Sequence, residues 1–276
     1  MGLRLLLSYQ HELASNFFLA CLHYSPYAVL AHGFLALCHA PNYNFKGAPY
    51  WESANHMDDI FRHDLQCIFP SQQVADRHSK AAMDKIEEIR KMHRGPKKRK
   101  SGKKKGKTKT GITENNGEGQ EEARPEMISE LETILLQAIR VLTCQPGVDP
   151  DLADEMCCIP FAEAMKKVYE RFPTDAEVSY LFAESVMVLN AWKLYDYPSG
   201  TPISPDVIQT KEVLEQSLDL HPKHAGLCHL FVHLSEMSAT PEMALRACGP
   251  LRKNFPHAGH LIHMATHIDG RNDGMT

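Results

Sequence analysis

Pro222 and Pro256 stand 34 residues apart, a period at which pairs of helices stack into a superhelical solenoid. That spacing restricts the chain to short helical hairpins packed on their neighbours. Other positions keep the same frame. Ala244 lies twelve residues before Pro256, and Ala14 twelve before Pro26, at the small position where two helices of a hairpin meet. Phe18 takes the aromatic position after Ala14, and Leu35-Ala36 give the large-then-small pair expected in the returning helix. Pro173 and Pro222 are 49 residues apart, one period and 15 more. The excess falls on residues 195–205 (YDYPSGTPISP), an inserted loop whose length and aromatic content suit the lid or wall of a binding site.

The expected fold is all-α: an α-solenoid of helical repeats with one basic insertion. Apolar residues at intervals of three and four predict helices over 3–22 and 27–38. Loop formers fill 39–47, and a second pair is expected over 51–69 and 72–93. These make an N-terminal unit, 1–93. Residues 94–124 hold a lysine-rich block and then an acidic one with almost no apolar content, the composition of a disordered insertion. The C-terminal unit, 125–268, carries helices over 125–143 and 161–173, one marked by Tyr180, Phe182, Ala183 and Met187, and others over 206–220, 225–237, 241–254 and 257–268. The tail 269–276 reads as the point where a longer array is cut short, because half a hairpin leaves its last apolar face uncovered.

Charge sharpens the division. Ten of the 30 Lys and Arg fall within 94–109, leaving 20 against 34 Asp and Glu, a balance of −14. A folded part that acidic does not offer a nucleic-acid face. No apolar run approaches the ~20 residues of a membrane span. The eight cysteines include no C-x-x-C pair and suit a reducing compartment, so a cytoplasmic location is expected. PKKRK at 96–100 is similar to a nuclear-localisation signal, which would add the nucleus; the competing reading is a solvated insertion loop with no address function.

Half of the 16 histidines sit within 221–267. His229, His233 and Glu236 fall at i, i+4 and i+7, one stripe of a helix, and His260, His263 and His267 at i, i+3 and i+7 on the next. Two imidazoles one turn apart can address one ion, with a neighbouring helix completing the set. His11-Glu12, Asn42 and Asn44 are further candidates from the N-terminal repeat. Zinc, copper or iron suits such ligands. Leu230 follows His229, so the chain lacks the H-E-x-x-H of metalloproteases. The competing readings are a polar groove for a peptide and simple packing. His221 and His224 flank Pro222 as cap or turn residues, and His32, His39, His56, His63, His78 and His93 read as helix contacts.

The run HPKHAGLCH at 221–229 with His233 and Glu236, and then PHAGHLIHMATHI at 256–268, resembles the histidine pattern of a family of tetratricopeptide-repeat (TPR) proteins from bacteria, fungi and unicellular eukaryotes. Residues 41–44 (PNYN) and 190–196 (NAWKLYD) also look like elements of that family. Ala265 replaces its usual proline, and its familiar continuation is missing after Asp269. The resemblance implies a TPR-like fold and brings no substrate or reaction. A protein- or peptide-binding scaffold is the leading expectation. The alternative is a metal-binding protein or metal-dependent enzyme using His229, His233, Glu236, His260, His263 and His267.

Overall fold

The computed structural model describes residues 1–44, 72–94, 125–143, 154–255 and 258–272. The expected helix over 51–69, the insertion after Arg94, the turn cluster at 145–150, and Pro256 with His257 lie outside the described residues.

Eleven α-helices account for most of what is described, in keeping with the all-α expectation. They are α1 (Gly2–Leu6), α2 (His11–Tyr24), α3 (Val29–Cys38), α4 (Gln72–Arg94), α5 (Glu130–Thr143), α6 (Ile159–Arg171), α7 (Ala176–Leu189), α8 (Pro205–Leu220), α9 (Ala225–Ser235), α10 (Leu245–Asn254) and α11 (Gly259–Asn272). A π-helical turn, Asp154–Cys158, leads into α6, and a 3-10 turn, Pro241–Ala244, leads into α10.

Caps explain several boundaries. Asp175 and Ser204 accept from the amides of Val178 and Val207 at 3.0 and 3.4 Å, opening α7 and α8. The helix expected from Pro125 starts only at Glu130. Ser129 and Glu132 form a reciprocal capping box there, each amide donating to the other's side chain at 2.8 and 3.1 Å. The helix expected to stop near Ile268 continues to Asn272, with Asp269 paired to Arg252 of α10.

Residues 3–22 depart most from expectation. They form two helices broken at Tyr9, whose φ is +55°. In one continuous helix the Leu7 carbonyl would accept from the amide of His11. It accepts instead from the His229 ring at 3.0 Å, across 222 positions of sequence. A tertiary contact has overridden an apolar period that taken alone favours a helix.

Each described helix packs on the next described one, and α3 on α5, α7 on α9 and α9 on α11 add a second layer of contacts. One apolar core runs through them, with Ile86, Ile139, Met165, Phe182, Leu214 and Phe231 buried. Close crossings need missing side chains. A Cβ on Gly33 would stand 2.2 Å from Leu136 Cδ2, and one on Gly226 would stand 2.6 Å from Tyr180 Cδ2. The 195–205 loop contains a two-residue ladder, Tyr195–Asp196 against Thr201–Pro202, and Gly200 accepts from the Ala239 amide at 3.3 Å, just beyond α9.

Candidate metal centre

Both predicted stripes face one another. His229 and His233 lie on α9, fully buried at 0% and 2% exposure, and Glu236 caps the end of that helix. His260, His263 and His267 lie on α11, which packs against α9. His260 and His267 are half-buried and His263 is exposed.

The contacts form a connected set. His229 Nε2 lies 3.0 Å from His260 Nε2, and His263 Nε2 lies 3.0 Å from His267 Nε2. His233 Nδ1 reaches Glu236 Oε1 at 3.1 Å, and His267 Nδ1 bonds the other oxygen of the same carboxylate. One ligand atom from each of His229, His233 and His260 falls within 4.8 Å of the other two.

These partners settle which ring nitrogens carry protons. A carbonyl or carboxylate oxygen only accepts, so Nδ1 of His229, His233 and His267 must each donate. In the neutral ring the Nε2 atom is then a lone pair. His229 and His267 direct theirs at another imidazole. The His233 Nε2 is buried and, among the described residues, has no hydrogen-bond partner. An unsatisfied buried acceptor is uncommon in a folded protein. An imidazole anchored through Nδ1 with Nε2 free is the usual state of a metal-ligating histidine.

Electrostatics agree. Burial holds the His229 imidazole well below its ordinary pKa of 6.5, and the neighbouring His233 and His260 depress it further. Burial also lowers His233, against the opposing bond to Glu236. His260 is lowered to about 4, by burial and then by His233 and His263. These rings are neutral near pH 7, the form that coordinates. Burial alone would raise Glu236, but its bonds to His233 and His267 outweigh that and leave the carboxyl below its usual range. Glu236 is the anion of the centre.

The N-terminal segment supplies the walls. Tyr9 stands among the imidazoles, its ring centroid 4.5 Å from His229, 5.9 Å from His260 and 6.4 Å from His233. Tyr43 and Trp192 close the far side of His233, at 5.0 and 6.1 Å. Asn44 Nδ2 comes to 3.5 Å from His260 Nε2, and Asn42 Oδ1 holds the Asn44 amide at 3.0 Å. His11 bonds the Cys38 carbonyl at 3.2 Å rather than the cluster and, among the described residues, meets the cluster through Tyr9. Glu12 sits in the first turn of α2.

Beside the rings lies a second buried polar nook. Glu184 is pushed up to about 7 by burial, against the opposing influence of Tyr9 and Tyr180. Its Oε1 and the Tyr9 hydroxyl have no close hydrogen-bond partner among the described residues. Glu184, His11 and Asn42 line a cavity of about 30 Å³, room for a single water.

Set against protein-family models, curated proteins and solved structures, the chain matches none. The site therefore has to be read from its own chemistry.

The remaining histidines act locally. His224 Nδ1 caps α9 through the Leu227 amide at 3.2 Å, and His221 Nε2 contacts the Thr174 carbonyl at 2.9 Å. His93 reaches the Pro125 carbonyl at 2.9 Å, and His32 and His78 face each other at 3.1 Å. His39 is buried, and His56 and His63 lie outside the described residues. Sequence reasoning missed the Leu7 carbonyl, Tyr9, Tyr43 and Glu184 as parts of the centre. Tyr43 lies within the PNYN element at 41–44, and nothing local in the sequence marks the other three.

Proposed function

We propose that this chain is a metal-binding protein of TPR-like helical architecture, with a divalent late first-row ion held by His229, His233 and His260. The supporting observation is the buried, unpartnered Nε2 of His233, fixed as a lone pair by the bond from its own Nδ1 to Glu236. Two ligands on a tetrahedral ion at about 2.0–2.1 Å stand roughly 3.3 Å apart, so the 3.0 Å His229–His260 pair needs little movement. Three protein ligands leave a fourth position for water or a small substrate, whose polarisation is the chemistry such an ion supplies. Zinc, copper and iron all suit an imidazole set.

Metal analysis of tag-free protein, repeated after chelator treatment and reconstitution with Zn²⁺, tests this. One tightly held equivalent, absent from His233→Ala, is expected. No retained metal in either preparation rejects it.

A second reading draws on another surface. Ile134, Val141, Ala164 and Lys167 help to line an open groove of about 420 Å³ between α5 and α6. That groove suits a peptide or protein partner with an apolar side chain to bury. Loss of binding to a peptide library on Ala164→Glu, with metal content unchanged, would identify it as the scaffold's working face.

A further inference from the structure

We infer that His263 and His267 form a second, more exposed metal position in the same centre, coupled to the first through Glu236. The inference rests on the metal reading above and adds a site to it. His263 and His267 occupy successive turns of α11, with their Nε2 atoms 3.0 Å apart. In a neutral His267 the bond from Nδ1 to Glu236 leaves Nε2 as a lone pair facing His263. In the metal-free chain His263 satisfies it by donating its own Nε2 proton. Neutral His263 then keeps its other nitrogen as a lone pair, and a tautomer shift frees both Nε2 atoms for one ion.

Glu236 is what makes the positions two rather than one. Its oxygens take the Nδ1 protons of His233 and His267, one from each helix. Each ring therefore presents its Nε2 away from the shared carboxylate. The His233 ring groups with His229 and His260, and the His267 ring with His263. The sets abut, with ring centroids 6.2 Å apart for His233–His267 and 6.4 Å for His260–His263. Glu236 orients one ligand in each, so a change at either set reaches the other through one carboxylate. The inner position is buried and offers three imidazoles. The outer one offers two and is open on the His263 side, so water must complete it and its ion must exchange more readily.

The test is calorimetric titration of Zn²⁺ into the tag-free, chelator-stripped full chain, with folding checked by circular dichroism. The intact chain should take two equivalents of unequal affinity. His263→Ala/His267→Ala should lose the weaker one, or weaken it at least tenfold, and keep the tighter. His229→Ala/His233→Ala should do the reverse; where that variant fails to fold, the exposed pair decides alone. A second equivalent that survives His263→Ala/His267→Ala is surface binding and overturns the inference. A single equivalent lost in both variants means one ion spans both rows and also overturns it. A single equivalent untouched by the outer variant removes the outer position and leaves the inner one intact. No binding at all rejects both readings.

Discussion

The imidazoles of α9 and α11 differ in how far the protein has committed them. Those of α9 are buried, and each has its Nδ1 bound to a fixed oxygen, from the Leu7 carbonyl or from Glu236. Of the three on α11, only His267 is anchored this way, and His263 stands in the open. A buried ring gives up hydration and rotamer freedom on folding, so its geometry is fixed before any ligand arrives. An exposed ring keeps both and is the cheaper to rearrange. One row is preorganised and the other is adaptable.

Removing a ring from the committed row should have the largest effect. His229→Ala should abolish tight Zn²⁺ binding and destabilise the metal-free chain by about 1–3 kcal/mol, because the Leu7 carbonyl loses its donor. Denaturant unfolding checks the second part, and an unchanged midpoint would erase the contrast between the rows. Glu236→Gln should come next, weakening Zn²⁺ affinity about 10–100-fold at both positions through loss of ligand orientation. A loss confined to one position would show that the carboxylate serves a single row. His263→Ala should leave stability within about 0.5 kcal/mol, the usual range for an exposed substitution, while weakening the outer equivalent.

Acid should distinguish buried rings from exposed ones more gently. His11 and His260 titrate at about 4 in the folded chain against 6.5 ordinarily, so between those values the unfolded chain binds protons the folded one refuses. Metal-free stability should be fully present above pH 6.5 and fall as the pH drops toward 4. Glu184 acts in the opposite sense. Raised to about 7 from 4.5, it contributes stability that is complete below 4.5 and lost as the pH rises through 7. Glu184→Gln should therefore make the acid-side decline steeper between pH 7 and 4.5, as read from thermal midpoints across that range.

The pairing of the histidines was legible because helical period alone brings i, i+4 and i+7 onto one stripe, and a helical hairpin makes consecutive stripes neighbours. Helix existence followed from the same periodicity over 72–94, 176–189 and 225–235. The break at Tyr9 was not legible. Leu3, Leu5, Leu6 and Leu7 satisfy a helical pattern locally, and only the distant His229 and the surrounding rings make the left-handed residue worth its cost. Glu184 was hidden differently: it reads as one more polar residue in a helix until Tyr9 and Tyr180 are seen beside it. Both omissions are contacts between the first ten residues and the second half of the chain, which no local pattern encodes.

Because a main-chain oxygen near the amino end decides the tautomer of His229, a peptide bond belongs to the proposed metal site. Clipping the first ten residues, or burdening them with a bulky fusion, should blunt the inner position even with every histidine in place. Preparations handled through that end would report the strain of the handle, so the cleaner grip is elsewhere on the chain.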